Sequence, residues 1–361
     1  MKILHLPFNI ASLPANNVRA LNQINGIVAR GLIFDKPHKF HDQTGLTYAP
    51  PFIGSKLNPL KWTNIARNYS AFANAVAWAD IIHWYWDANC FPFNLDLKLI
   101  KWLKKPLLIM WVGSDIRHAE AELKDNPFYA RVLENGYEYK EQERREGSLI
   151  RQHSFSKAGA YPIVCVEMLP YIEASLFPTV FTTHQGLDLR QYIAKYPNPE
   201  NKVPLIVHTP TAPVAKGTRY VLEAIEQLKK EYTFDFRLIQ NMERSQAIQS
   251  IMDCDIMLDQ FILGAHGMAA TEAMAYGKPV LCYIKPATQM LYPPDLPLIN
   301  ASPDDLVEKL EPLLRDGALR HEAGRKSRAY AEKYHDANQV AKDLVKVYRE
   351  VISRAKEGLC R

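Results

Sequence analysis

Short apolar runs bounded by polar or proline-rich segments alternate with longer amphipathic stretches, the pattern of repeated βα units built around parallel sheets. Lys2 to Pro7 predicts an opening strand. After a loop, Asn17 to Leu32 carries Val18, Leu21, Ile24 and Val28 at helical spacing and predicts a helix. Strand-like runs return at Ile81 to Tyr85, Leu107 to Val112, Pro162 to Val166 and Val180 to Thr183, each ahead of a polar loop or turn. Lys195 to Lys202 is polar, holds two prolines and lacks an apolar period, so it reads as a linker.

A second α/β series follows. Leu205 to His208, Phe236 to Ile239, Ile256 to Gln260 and Pro279 to Tyr283 predict strands, interleaved with helices at Tyr220 to Lys230, Ala247 to Met252 and Ala269 to Ala275. Asn338 to Lys356 places Val340, Leu344, Val347, Val351 and Ile352 on one helical face, which requires a docking surface. A length of 361 residues exceeds what one hydrophobic core ordinarily serves, so two domains are expected.

Candidate chemistry concentrates in the second half. From Asp255 to Val280 the chain reads as a strand, a loop with Gly264 and Gly267, a helix opening at Met268 and Ala269, and a carboxylate, Glu272, about one turn in. Free N–H groups and the dipole at that helix start suit phosphate oxygens, and the glycines let the backbone approach a ligand. Glu272 is placed to accept hydrogen bonds from the vicinal hydroxyls of a ribose; on spacing alone it serves equally as a charge complementing the dipole. Pro204 to Thr218 gives a strand, a loop and then Lys216-Gly217 opening a helix, which aims a cation at the same diphosphate. Taken alone, Lys216 is equally a solvated loop lysine.

Together these stretches resemble the retaining glycosyltransferases of family four. The resemblance rests on Lys216-Gly217 and on Glu272-Ala273-Met274-Ala275-Tyr276-Gly277-Lys278-Pro279-Val280, in the family's order and separation. Weaker likenesses are Gly186-Leu187-Asp188 ahead of the linker and Gly113-Ser114-Asp115-Ile116-Arg117 on the acceptor side. The resemblance implies an α/β GT-B fold, two Rossmann-like domains with parallel sheets facing across a central cleft. Residues 1–194 would form the acceptor-side domain, 195–203 the linker, 204–337 the nucleotide-sugar domain, and 338–361 a helix packing back on the first domain.

By the same resemblance the chain would transfer a sugar from a nucleotide-diphosphate sugar to a glycan, lipid-linked or other hydroxyl acceptor, with retention. The donor would be held by Lys216, Gly217, Gly264, His266, Gly267, Met268, Ala269 and Glu272. Asn16, Asn17, Ser114, Asp115 and Arg117 are the acceptor-side candidates, and Asp115 and His266 the catalytic ones. Polysaccharide or lipid-linked glycan synthesis is the implied setting. The chain departs from the family pattern at Gly264, where a glutamate is usual, at Thr211 for an arginine, and at Val112 for a histidine.

Composition adds exclusions. The net charge of +5 is too modest to indicate nucleic acid as a partner. The five cysteines are scattered and form no metal-ligand spacing, which favours reduced thiols in a cytoplasmic protein without a structural zinc. No run is apolar enough to span a bilayer, the first residues are unlike a secretory signal, and no DxD motif is evident, so metal-independent transfer without a cofactor is expected. Phe93 to Lys105 interleaves Leu95, Leu97, Leu99, Ile100, Trp102 and Leu103 with four lysines, a pattern for a sheet-covering helix and also for peripheral contact with the inner membrane face. The rival readings are a nucleotide-sugar epimerase, a non-catalytic nucleotide-sugar-binding subunit and, least consistent because no GxGxxG follows the first strand, a dehydrogenase.

Overall fold

The computed structural model describes residues 1–38, 41–49, 59–86, 90–133 and 135–359. In chain order the elements are β1 (Lys2–Leu6), α1 (Leu13–Leu21), β2 (Val28–Ile33), β3 (Leu46–Tyr48), α2 (Pro59–Trp78), β4 (Ile81–Tyr85), α3 (Leu95–Trp102), β5 (Leu107–Trp111), α4 (Ala119–Asp125), α5 (Pro127–Ala130), α6 (Arg145–Lys157), β6 (Tyr161–Val164) and β7 (Phe181–Thr182). The second half adds β8 (Leu205–His208), α7 (Pro213–Lys216), α8 (Thr218–Leu228), β9 (Asp235–Leu238), α9 (Arg244–Asp253), β10 (Ile256–Leu258), α10 (Met268–Ala275), β11 (Val280–Cys282), α11 (Pro286–Gln289), β12 (Ile299–Asn300), α12 (Leu306–Arg315), α13 (Gly317–Tyr334) and α14 (Ala337–Leu359).

Contacts divide the chain into two units. The first holds Met1–Ile116, Glu146–Gly186 and Ala337–Arg361; the second holds Arg117–Arg145 and Leu187–Asp336. Each unit is built on its own parallel sheet, of order β3-β2-β1-β4-β5-β6-β7 in the first and β12-β11-β10-β8-β9 in the second. In both, the chain winds outward on one side of its first strand and then returns to add strands on the other side. Two Rossmann-like units on parallel sheets accord with the βα alternation and with the two-domain GT-B fold that the family resemblance implies.

In the first unit β4 and β5 are buried along their whole length, as central strands of a doubly covered sheet must be. Trp84 and Trp111 meet the Phe155 ring of α6 edge-on. The amphipathic α14 packs on α1, with Val340, Leu344 and Val351 buried. The expected helix over Asn17 to Leu32 is corrected: α1 ends at Leu21, Gly26 turns the chain at φ +79°, and Val28–Ile33 forms β2. Asn22 fixes that strand by bonding both the carbonyl and the N–H of Ala29, which tertiary pairing with β1 then extends. The short stretch Val28 to Leu32 fits either period, and Gly26 decides between them.

In the second unit, α8 buries Val221, Ala224, Ile225 and Leu228 against the sheet. The polar stretch 195–203 runs along this unit, with Lys195 paired to Asp253 at 2.6 Å and Asn201 Nδ2 donating to Asp255 at 2.8 Å. The thiols of Cys90, Cys165, Cys254 and Cys282 are free, and Cys360 lies outside the described residues. Among the described residues no helix is long and apolar enough to cross a membrane.

Two histidines lie inside the first sheet. His5 of β1 shares a 2.9 Å hydrogen bond with the Tyr85 hydroxyl, and His83 of β4 shares one of 2.7 Å with the Tyr348 hydroxyl of α14. His83 stacks on Tyr85 with ring centres 4.4 Å apart, and Nε2 of each imidazole is buried without a partner. Burial therefore lowers both pKa values, that of His5 to about 3, and the neighbouring His5 adds to the cost of charging His83. In the unfolded chain they would titrate near 6.5, so unfolding takes up protons below that pH, and stability is lost as pH falls toward the folded values. The thermal midpoint measured between pH 7 and pH 4 should drop as the unfolding free energy falls by up to ~1.4 kcal/mol per pH unit for each imidazole, and H5Q or H83Q should flatten the decline. An equally steep fall in both variants would assign acid sensitivity elsewhere.

Candidate functional site

Sheet order puts the second unit's switch point between β8 and β10, because β9 lies on one side of β8 while β10 through β12 lie on the other. Connections leaving adjacent strands at such a point diverge and leave their loops open at the carboxyl edge of the sheet, where α/β proteins bind ligands. Both chemistry-bearing motifs of the sequence are at this edge. Their strands are in register, His208 opposite Leu258.

After β8 the chain forms the single turn α7, ending in Lys216. The Glu138 carboxylate accepts from the N–H groups of Val214 (2.7 Å) and Ala215 (2.9 Å) and so caps this turn. Gly217 follows at φ +74°, and a side chain there would press on Phe261 and Ile262 at 3.2 Å. The loops after β8 and β10 are thus in direct contact, and the Phe261 N–H donates to the Lys216 carbonyl at 3.1 Å. His208 closes the strand ends from within. Its Nδ1 donates to the Leu258 carbonyl at 2.9 Å, and its Nε2 accepts from the Thr218 hydroxyl at 3.0 Å. Burial, the largest cause, takes its pKa down to about 4, which keeps this tautomer neutral at physiological pH.

Beyond β10 the buried Asp259 joins the two motifs. One carboxylate oxygen pairs with Lys216 Nζ at 3.1 Å, while the other accepts the Gly267 N–H at 2.7 Å, at the entrance to α10. Lys216, whose side chain is 14 % exposed, therefore ends beside the helix N-terminus that opens at Met268 and Ala269. A side chain on Gly267 would crowd Asp259 at 3.3 Å. Gly264 sits at φ +69° against the Lys285 stem, 2.9 Å from where a Cβ would stand, so strain and space both favour glycine there. Lys285 is itself buried between Glu122 (3.2 Å) and Asp125 (3.0 Å). His266, between these glycines, stacks on the Tyr292 ring at 5.1 Å.

Glu272 is buried one turn into α10. Its Oε1 accepts from Arg244 Nη2 at 2.7 Å and from the Tyr192 hydroxyl at 3.2 Å. Burial first, and the Glu272 charge after it, push the Tyr192 phenol well up, so it remains a donor. Arg244 and Tyr192 were not singled out by sequence reasoning. Arg244 opens the helix after β9 and Tyr192 precedes the polar stretch at 195–203, and nothing in their local sequence signals contact with a residue 28 or 80 positions away. Asp259 was missed for another reason: a single acid at a strand end is an ordinary feature, and its two partners become visible only in three dimensions.

The acceptor-side candidates are differently disposed. Asn17 Nδ2 donates to the Tyr85 hydroxyl at 2.8 Å. Asn16 donates to the Gly186 carbonyl at 2.8 Å and accepts from Arg19 at 2.7 Å. Both side chains are buried and spent on bonds inside the first unit. Asp115 accepts from the N–H groups of Val112 and Gly113, the nearer bond being 2.7 Å, which closes the turn after β5; Ser114 lies buried within that turn. Arg117 belongs to the second unit, where its guanidinium is buried against Glu143 at 2.6 Å. The Glu143 charge holds Arg117 well above its ordinary pKa even though burial opposes it. Of the five, none presents an exposed polar group.

Residues 219–346 match the glycosyl transferase-like family model. No match is found among curated protein sequences. Among solved structures, sucrose-phosphate synthase from Thermosynechococcus elongatus is similar over 98 % of this chain and 100 % of its own, at 13 % identity and a TM-score of 0.60. A glycosyltransferase from Rickettsia africae is similar over 97 % and 98 %, at 12 % identity and 0.61. Anabaena HepE, solved with UDP and glucose, is similar over 97 % and 100 %, at 14 % identity and 0.54. At such identities the likeness is one of fold, and the chain has the GT-B fold of these proteins over nearly its whole length.

Proposed function

We propose that the protein is a glycosyltransferase that moves a sugar from a nucleotide-diphosphate sugar to a hydroxyl acceptor, with retention and without a metal ion. The observation that carries the reading is the link from Lys216 through Asp259 to Gly267 at the switch point of the second sheet. It sets a cation and a helix N-terminus side by side, with the Glu272 carboxylate one turn behind. A diphosphate seated there would meet the ammonium group and the first-turn N–H groups of α10, while the ribose would lie toward Glu272. One oxygen of Glu272 is engaged by Arg244 and Tyr192, which orients the other for a hydroxyl.

In this reading the leaving group is stabilised by fixed charges and dipoles, the term that dominates when negative charge develops on a departing diphosphate. Lys216 and α10 supply that charge, so no metal is needed for it. The glycosyl transferase-like match over 219–346 and the UDP-bound HepE structure support a nucleotide-sugar donor. Retention and transfer of a hexose follow from the resemblance to family four. By the same resemblance the acceptor is a glycan, lipid-linked or other hydroxyl acceptor, and His266, between Gly264 and Gly267, is the catalytic candidate on the donor side.

A lipid-linked acceptor accords with one surface of the first unit, and we place this protein in the cytoplasm, peripheral to the inner membrane face. Phe93, just ahead of α3, is 83 % exposed and Trp102 76 %; Leu95 and Lys98 share the Trp102 stripe of α3, with Lys104 just beyond. Phe93 and Asn94 are held at φ 58° and 55°, a conformation that bulky side chains rarely adopt, and it turns the Phe93 ring outward. Exposed aromatic rings among lysines suit the headgroup boundary of an anionic bilayer.

Three outcomes are expected. Calorimetric titration of UDP-, GDP- and ADP-sugars should find one that binds, with K216A and E272A, each still folded, weakening it about tenfold or more, roughly 1.4 kcal/mol. Binding that survives both substitutions would remove the donor assignment. Transfer should persist in excess EDTA, and activity restored only by added divalent cation would refute metal independence. In sedimentation with phosphatidylglycerol vesicles, F93S/W102S should lower the bound fraction several-fold relative to the unsubstituted protein while leaving donor affinity intact; equal sedimentation would dissociate α3 from membranes.

A further inference from the structure

Asp259 occupies an awkward position for an anion. Its side chain is fully buried at the carboxyl edge of β10; one oxygen pairs with the cation that the donor reading gives to the diphosphate, Lys216 Nζ at 3.1 Å, and the other takes the Gly267 N–H at the entrance to α10 at 2.7 Å. A carboxylate there does for the ligand-free protein what a phosphate oxygen would do in the complex. It neutralises the lysine and satisfies an N–H that has no acceptor within its own helix. It also repels whatever second anion arrives.

Resting on the donor reading above, we propose that Asp259 is an internal competitor for Lys216 that weakens retention of the nucleoside diphosphate product. When the diphosphate binds, Lys216 Nζ leaves Asp259 Oδ1 for a phosphate oxygen, and Oδ2 keeps the Gly267 N–H. When the product leaves, the Lys216–Asp259 pair re-forms. The charges make the effect selective. A nucleoside diphosphate carries a terminal phosphate whose second proton is lost near pH 6, so at neutral pH it holds about one more negative charge than the sugar-bearing donor. Repulsion by a buried carboxylate therefore falls more heavily on product than on substrate. Gly267 contributes by having no side chain, since a Cβ there would stand 3.3 Å from the Asp259 carboxylate. Asp259 acts through Lys216 and contacts no reacting atom, so it is a positioning residue.

The test is calorimetric titration of UDP, GDP and ADP and of their glucose conjugates into the full chain. Substitution D259N keeps an acceptor for the Gly267 N–H and removes the charge. It should tighten the diphosphate that the unsubstituted protein binds by about five- to twentyfold, and its glucose conjugate by less. In the K216M background no lysine is left to compete for, so the same substitution should tighten the diphosphate only through relief of repulsion, by a smaller factor than in the unsubstituted protein. Equal or weaker diphosphate binding by a folded D259N protein would overturn the proposal and leave Asp259 a purely structural residue. If D259N does not fold, the ligand-free thermal midpoints of K216M and K216M/D259N decide. The single variant strands a buried carboxylate and should melt lower than the double, and equal midpoints would overturn the pair. Absence of any diphosphate binding by the unsubstituted protein would overturn the donor reading, and this inference with it.

Discussion

Parallel pairing of β8 with β10 is the constraint on which the candidate site depends. With His208 opposite Leu258, both strands deliver their following loops to the same edge. The winding of the sheet then sends α7 and α10 apart and leaves their termini adjacent. The Phe261 N–H on the Lys216 carbonyl, the Asp259 carboxylate on Lys216 and Gly267, and the neutral His208 between strand ends all act across that one register. A slip of one residue would turn Asp259 and His208 to the opposite face of the sheet and dissolve each of these bonds.

The segment Arg117–Arg145 is the least expected contributor. It follows a strand of the first unit, yet its contacts place it in the second. Phe128, Tyr129, Val132 and Tyr137 lie in the second unit's core, and buried polar groups fix the segment's own shape. Arg117 and Glu143 pair out of solvent, with the Tyr129 and Tyr137 hydroxyls donating to the same carboxylate, each at 2.7 Å. Asn126 Nδ2 donates to Glu122 at 2.8 Å and to the Ile262 carbonyl at 2.7 Å. Groups of this kind are costly to bury singly and tolerable only when each has its partner, so the network specifies one arrangement more than it adds stability. Through Glu138 on α7 and Lys285 behind Gly264, the segment braces both loops of the candidate site.

The first unit follows a different economy of side chains. At its own switch point, the edge that follows β1 and β4, the polar groups of Asn17, Tyr85, His5 and His83 are turned inward and bonded to one another or to α14. The same unit displays to solvent Phe93, just ahead of α3, and Trp102, at the end of that lysine-bearing helix. Its chemistry is thus interior and structural where sequence motifs pointed outward, and its apolar surface is exposed where amphipathic patterning would bury it.

By itself the sequence determined the doubly wound α/β class, most strands of both sheets, α8 and α14, and the two strand-to-helix segments that carry Lys216 and Glu272. Periodicity and glycine placement are local properties, readable wherever a strand is uniformly apolar or a helix has one apolar face. Tertiary structure alone decided that Val28–Ile33 is a strand, that residues 117–145 join the second unit, that Asn16, Asn17 and Arg117 face inward, and that Asp259, Arg244 and Tyr192 meet the motif residues. Those outcomes turn on partners that lie tens of residues away along the chain. A polar side chain carries no mark of which distant group will satisfy it, because burial and hydrogen bonding are settled only when the sheets have assembled.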